Sequence, residues 1–300
     1  MIEFVNAKIN LGLNILRKRE DGYHDLETVF YPVGLYNGTP VNPEPFCDIL
    51  EIHPCDSGRE DEFVFIGNPV NCALESNLVF RAAAAYKNAA RERGLSPGAV
   101  KVVLEKHIPD GAGLGGGSAD AAFTLKVLNK MHDNIFTKPE LIDLAAGLGA
   151  DCPFFIENRP VLASGIGEIM TPATLDLTGY WALIIKPDIY VSTKEAFGGI
   201  RPQLPSVPIS ELITLPVLEW ENAGLKNDFE SHIFNLYPAL KSIKSSIRDA
   251  GAVYAAMSGS GSSIFGIFDG EVAARDAFNF FNSAIHLSSL PYLKIFLCKL

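Results

Sequence analysis

Five glycines fall within seven positions of Ile108–Phe123, IPDGAGLGGGSADAAF: Gly111, Gly113, Gly115, Gly116 and Gly117. Glycine gives up more backbone freedom on folding than any other residue, so this density needs a reason; close approach of something to the backbone supplies one. Ser118 then opens an alanine-rich, helix-favouring run. Free N–H groups at a helix start attract anions, which makes phosphate the first chemistry to consider. Gly111-x-Gly113-x-x-Gly116 fits the dinucleotide fingerprint in letters. That motif belongs at the opening of a βαβ unit, with an acidic residue about 20 positions on. Here it lies a third of the way along, and Asp133 sits in the polar stretch MHDN. A P-loop needs lysine before its Ser/Thr, whereas Gly117 runs directly into Ser118. A tight turn with no ligand is the remaining alternative.

The elements that position this loop read from periodicity. AVKVVLEKHIP is a strand with Val100, Val102 and Leu104 on one face, and it leads into the glycines. SADAAFTLKVLNKM leaves them as a helix with Ala121, Leu125 and Leu128 on one stripe. Upstream, MIEFVNAKINLGLNIL reads as one strand, and Asp21-Gly22 as the turn between two extended runs, the second reaching Tyr36. CDILEIHP and EFVFIG are short strands joined by a polar turn. Asn77 caps a helix that ends at Gly94, and KPELIDLAAGLG is another helix. Downstream come a hairpin in RPVLASGIGEIMTPA, a strand in YWALIIKPDIYVST and a helical turn in KEAFGGIR. The proline-rich 200–218 segment reads as loop with one short helix, and two helices break before Pro238. A strand, glycine turn and strand follow in AVYAAMSGSGSSIFGIF, then a helix and a closing strand, YLKIFLCKL. Hairpins are as frequent as β-α alternation, which indicates an α+β protein.

The 300 residues suit one large or two ordinary domains, and 48% hydrophobic with 20% charged residues gives ample core. A net charge of −10 argues against a general binder of nucleic acid or of membrane surfaces. An anionic substrate then has to be held by local devices. No signal-peptide pattern and no run of about 18 apolar residues is present, so a cytoplasmic protein is expected. Five scattered cysteines without a C-x-x-C pair favour a reducing compartment and oppose a structural zinc site; Cys152 reads as a structural thiol.

Three separated stretches, NAKINLGL at 6–13, PDGAGLGGGSADAA at 109–122 and AAMSGSGSSIFGIF at 255–268, together resemble the signature motifs of the GHMP kinases. DGYHDLETVF at 21–30, LGADCPFF at 148–155 and ASGIGE at 163–168 resemble one branch in particular. That branch phosphorylates the 2-hydroxyl of a cytidine-diphosphate-linked methylerythritol in isoprenoid-precursor synthesis. The resemblance covers nearly the whole chain. It implies a two-domain α+β fold, with an ATP-binding domain at 1–156, a substrate-binding domain at 157–300, and the active site in the cleft between them. ATP with Mg²⁺ is the implied cofactor, with no metal ligand assigned, and the implied partner is a small molecule, neither nucleic acid nor membrane. The oligomeric state expected is a monomer or weak homodimer.

The resemblance also distributes roles. Pro109, Gly111, Ala112, Gly113, Leu114, Gly115, Gly116, Gly117 and Ser118 would cradle ATP, with backbone donors suited to a protein of the wrong net charge. Asp151 would be the general base and Lys8 would hold it ionised; Asn10, on the same strand face as Lys8, would position the hydroxyl or a phosphate. Tyr23 and His24 would recognise cytosine, Phe197 would close a sandwich around it, and Thr193 would bond the substrate. Gly259, Ser260 and Gly261 would brace the first motif. Asp110 departs from the apolar residue typical of the family and receives no role; Asn227 and Asp228 read as a helix cap. The competing readings are a homoserine- or mevalonate-type GHMP kinase, a non-catalytic nucleotide binder, and, more distantly, a dinucleotide-dependent oxidoreductase.

Overall fold

The computed structural model describes residues 1–34, 46–55, 60–70, 72–285 and 294–300. The ends of two expected strands, at 35–36 and 292–293, lie outside them. The apolar opening segment forms two strands, β1 (Ile2–Val5) and β2 (Ala7–Lys18). Asn6 separates them: its buried amide donates to the Ala7 carbonyl at 2.8 Å and exchanges bonds with the Asn158 side chain. β1 thereby joins one sheet and β2 another. β3 (His24–Val33) returns antiparallel along β2 after a tight turn in which Gly22 has φ +89° and Asp21 accepts the Tyr23 N–H at 3.0 Å.

β4 (Asp48–Pro54) and β5 (Glu62–Gly67) do not pair with each other. β6 (Val100–Lys106) inserts between them, antiparallel to β4 and parallel to β5. Its strictly alternating burial matches the period of two seen in sequence. α1 (Leu78–Glu92), capped by the Asn77 side chain on Val79 N at 2.8 Å, packs on α2 (Gly116–Met131). α3 (Lys138–Ala146) starts at a Thr137–Glu140 capping box, and α4 (Cys152–Glu157) follows it. These helices cover the β1-β4-β6-β5 sheet and form one continuous core with it.

β7 (Val161–Ser164) and β8 (Ile169–Pro172) form the expected hairpin, and β7 pairs with β3. The backbone ladder from β3 to β7 carries the β2-β3-β7-β8 sheet past residue 156. β9 (Trp181–Lys186) leads to α5 (Thr193–Gly198), α6 (Ile209–Leu212) and α7 (Trp220–Ala223). α8 (Phe229–Leu236) and α9 (Pro238–Asp249) break at Pro238, whose missing N–H suits a first helical turn. β10 (Tyr254–Met257), β11 (Ile264–Phe268), α10 (Glu271–Ile285) and β12 (Lys294–Lys299) complete the order, giving the sheet β10-β11-β9-β12. β2 ties the halves together, since Leu13 N bonds Lys226 O at 2.9 Å and Asp228 N bonds Leu13 O at 2.8 Å.

Candidate active site

Gly111, Gly113 and Gly115 have φ of +59°, +75° and +71°, a left-handed backbone that side chains resist. Gly116 is required by its neighbour, because a Cβ there would lie 2.8 Å from Ile108 Cγ2. Gly117 is different: its Cβ would meet only Leu78, at an ordinary 3.8 Å. Four of the five glycines thus have a structural reason; at Gly117 neither the backbone nor a neighbour demands one. Ala119 N makes the first helical bond, to Gly115 O at 2.9 Å. The N–H groups of Gly116, Gly117 and Ser118 therefore have no partner within α2, and the helix dipole adds positive potential beside them.

All three motifs meet at this loop. Lys8 N bonds Leu114 O at 2.9 Å, Ser263 N bonds Ala112 O at 3.3 Å, and the Ser258 hydroxyl donates to Gly113 O at 2.8 Å. Ser258 Oγ also accepts Asn10 N at 3.3 Å, and a Cβ on Gly113 would land on the Ser258 carbonyl oxygen. Gly259, with φ +56°, faces Asn10 Oδ1; Gly261, with φ +93°, faces Met257; Ser260 is half-buried beside them. Pro109 and Asp110 lie on the loop's more exposed approach, and Ala112 and Leu114 are buried.

The structure brings Lys8 and Asp151 to 3.4 Å, Nζ to Oδ2. The Lys8 side chain is 5% exposed and that of Asp151 34%, so an ammonium on the buried side faces a carboxylate on the open side. β2 places Lys8 and Asn10 on one face, and Lys8 Nζ donates to Asn10 Oδ1 at 2.6 Å. Asn10 Nδ2 donates to Thr28 Oγ1 at 3.1 Å, and Thr28 in turn to Gly12 O at 2.5 Å. The ammonium also stands 4.8 Å from the Phe30 ring centre. Asp151 precedes α4 without capping it, and its carboxylate turns to Lys8 instead. Beside it, burial pushes the Cys152 thiol up to about 11, although a hydrogen bond with Ser118 works the other way. Cys152 is thus a neutral thiol, and Ser118 has a protein partner. A carboxylate, an ammonium and unpaired N–H groups in one place can take a proton from a hydroxyl while stabilising developing negative charge.

At the other end of the β2–β3 hairpin, His24 stacks on Phe197 of α5 with ring centres 4.8 Å apart and planes at 22°. Phe229 supports Phe197 edge-on at 4.9 Å. Burial, and then the charge of Lys18, lower the His24 pKa, so the imidazole is neutral with one donor and one acceptor. Rings at this separation touch, so no base fits between His24 and Phe197. Tyr23 is 60% exposed, and Thr193, the first residue of α5, is also exposed.

Sequence reasoning missed Ser258 and undervalued Asn227. Asn227 does cap Phe229 N at 3.0 Å, but its amide also donates to Met257 O and Gly259 O, both at 2.8 Å, fixing the third-motif loop. Asp228 accepts Ile15 N at 2.8 Å. Tyr190 was missed as well; its ring edge occupies the space a Cβ on Gly111 would need. Only the density of small polar residues around SGSG hinted at such bracing. Among the described residues, no group of three or more His, Cys, Asp or Glu side chains is arranged to hold a metal, and no helix is long and apolar enough to cross a membrane.

Known proteins fit this geometry. Residues 77–159 match the GHMP kinases N terminal domain and residues 217–286 the GHMP kinases C terminal domain. The chain is 48% identical to the 4-diphosphocytidyl-2-C-methyl-D-erythritol kinase of Bacteroides fragilis, covering 90% of this chain and 93% of the relative. It is 49% identical to the enzyme of that name from Bacteroides thetaiotaomicron, with the same coverage. A crystal structure of 4-(cytidine 5'-diphospho)-2C-methyl-D-erythritol kinase matches 100% of this chain and 99% of its own, with a TM-score of 0.78 and 32% identity. Homoserine kinase from Cytophaga hutchinsonii shares the fold at a TM-score of 0.66 and 17% identity, covering 100% of this chain and 95% of its own. A two-domain α+β kinase fold and these relatives lead to one assignment: the chain belongs to the 4-diphosphocytidyl-2-C-methyl-D-erythritol kinase family of the GHMP kinases.

Proposed function

We propose that the protein transfers the γ-phosphoryl group of ATP to the 2-hydroxyl of 4-diphosphocytidyl-2-C-methyl-D-erythritol, giving the 2-phosphate and ADP. The observation that carries this reading is the Lys8–Asp151 pair, 3.4 Å apart, at a glycine loop followed by unpaired N–H groups. Gly116, Gly117 and Ser118 hold the phosphates through their backbone. Asp151 accepts the hydrogen bond of the 2-hydroxyl, aims its oxygen at the γ-phosphorus and takes its proton as the new O–P bond forms and the bond to ADP breaks. The acceptor carbon also carries a methyl group, so the hydroxyl is crowded and orientation matters more than basicity. Lys8, fixed by Asn10 and Thr28, offsets the charge of the Asp151 carboxylate 3.4 Å away and steadies the oxygen as it loses its proton.

Mg²⁺ suits this site as a cation brought in on the nucleotide, because such ions keep waters and phosphate oxygens and need only one or two carboxylates. Asp151, beside Lys8, is a carboxylate that would hold it, and the cation would neutralise phosphate charge. Cytosine stacks with Tyr23 on the outer side of the His24–Phe197 pair, and neutral His24 meets its polar edge. Thr193, at the start of α5, bonds the cytidyl end of the substrate, and Asn10, beside Lys8, bonds its acceptor end. Nucleotide binding belongs to the α2 half and much of the cytidyl site to the α5 half, with the β2–β3 hairpin serving both. All of these groups come from one chain, so a monomer suffices, and five cysteines outside any disulfide suit a reducing cytoplasm.

A coupled ADP-release assay with Mg-ATP, offering the cytidyl substrate, homoserine and mevalonate in parallel, tests the reading. Turnover confined to the cytidyl substrate is expected. Turnover on another alcohol would overturn the substrate, and ATP binding without turnover would make the protein a nucleotide binder only.

A further inference from the structure

Beneath the glycine loop lies a charged cluster that the phosphoryl-transfer chemistry does not use. Lys106, the last residue of β6, is buried; its ammonium donates to Asp48 of β4 and, at 2.6 Å, to Asp120 of α2. The second oxygen of Asp48 accepts the N–H groups of His107 at 2.6 Å and Ile108 at 2.8 Å, where the chain enters the loop. Asp120 lies one turn into α2, where the chain leaves it. A Cβ on Gly116 would come within 3.3 Å of the Lys106 ammonium. Both ends of the loop are thus fastened to one buried point.

Stability explains this cluster poorly. Buried ion pairs cost so much desolvation that apolar replacements are often neutral or stabilising. This one is also incompletely satisfied, because Asp120 Oδ1 is buried without a hydrogen-bond partner. Burial pushes the Asp120 carboxyl up to about 8 against the pull of Lys106, and Asp48 adds to the rise. Burial alone would lower Lys106, but Asp120 and Asp48 hold it up at about 12. Val102 and Leu104, on the same face of β6, are apolar and buried, so an apolar filling suits this layer.

We propose that Lys106, Asp48 and Asp120 are positioning residues for the nucleotide: they clasp both ends of the loop so that the N–H groups of Gly116–Ser118 are aimed before ATP arrives. This rests on the reading of the loop as the phosphate site. Ordering the loop in advance removes an entropic cost from binding, so the effect falls on nucleotide affinity. It leaves the cytidyl site, built on other elements, alone.

The test compares wild-type protein with the triple variant Lys106→Met, Asp48→Asn, Asp120→Leu, in which the amide replacing the Asp48 carboxylate still accepts the two backbone N–H groups. Asp120→Leu alone, which frees α2 but leaves the Lys106–Asp48 pair intact, covers the case in which the triple variant does not fold. Calorimetric titration with Mg²⁺ and a non-hydrolysable ATP analogue, titration with the cytidyl substrate, and thermal unfolding supply the readouts. The triple variant is expected to bind the analogue at least twentyfold more weakly, and Asp120→Leu about fivefold, with cytidyl affinity within twofold. In turnover the loss should appear in KM for ATP far more than in kcat. Wild-type analogue affinity in a folded variant would overturn the clasp alone, as would equal losses for both ligands. Failure of the wild-type protein to bind the analogue would overturn the loop reading, and the clasp with it.

Discussion

Gly117→Ala separates a glycine kept for a ligand from one kept for the fold. At Gly117 the backbone is helical and the new methyl would meet only Leu78 at 3.8 Å. Replacing a helical glycine by alanine gains up to roughly 0.5–1 kcal/mol, less in a first turn, so Tm should hold or rise by about 1–3 °C. The Cα–Cβ bond tilts towards the helix N-terminus, which puts the methyl on the approach to the unpaired N–H groups. Displacing a phosphate there forfeits one charge-assisted hydrogen bond, about 1.5–3 kcal/mol, or roughly 10- to 100-fold in ATP affinity. Gly113→Ala is the contrast: its φ of +75° costs about 1–2 kcal/mol, and its Cβ would strike backbone atoms of Ser258 that no rotamer change can move. That variant should lose stability and activity together. Calorimetric binding of an ATP analogue and thermal unfolding on both variants decide the matter. A Gly117→Ala protein of normal stability and normal ATP affinity would show that nothing approaches the backbone there, and the phosphate reading would fall.

Asp151→Asn should keep analogue affinity within about twofold while kcat drops by about 10²–10⁴; unchanged turnover would remove Asp151 from the mechanism. Because burial and Lys18 favour neutral His24, folded protein resists its protonation, so KM for the cytidyl substrate should be flat from pH 7 to 8 and rise only as pH falls below the ordinary imidazole range near 6.5. A rise above pH 7 would contradict this. Burial holds Cys47 and Cys152 at about 11 and Cys298 at about 12, so iodoacetamide at pH 7.5 should label exposed Cys72 well before these three, as peptide mass spectrometry would read. The net charge of −10 predicts that added salt speeds nucleotide association in stopped flow; slowing would mean that a local positive field dominates.

What was legible in the sequence is what short-range physics decides. The Asn77 cap, the alternation of β6 and the break before Pro238 each depend on residues within about four positions, and each is found where expected. The pairing of β6 between β4 and β5 depends on closing long loops, and no local pattern announces it. The same holds for β7 joining β3 beyond residue 156. At the site, the motifs marked Lys8, Asp151 and the glycines through resemblance. The bonds of Ser258 to Asn10 and Gly113 cross 248 and 145 positions, and a serine offers no periodicity to betray them. Asn227 misled because its local role is real: it caps Phe229 as read, and the two bonds that matter more run to a distant loop.

The charges explain why the loop has to be built with such care. Lys8 stands at the reacting groups, yet Asp151 at 3.4 Å already offsets it, and the Lys106 ammonium is held by Asp48 and Asp120. Neither supplies free positive charge to a triphosphate, and the protein as a whole repels one. Apart from Arg81, whose charge reaches Cys152 beside the loop, attraction falls to backbone N–H groups and the α2 dipole, which are effective only over a few ångströms and only when aimed. A point charge on a long side chain tolerates misplacement; a set of N–H groups does not. This is why three left-handed glycines, a serine bracing the loop from the third motif and a buried clasp at its base all converge on so short a stretch.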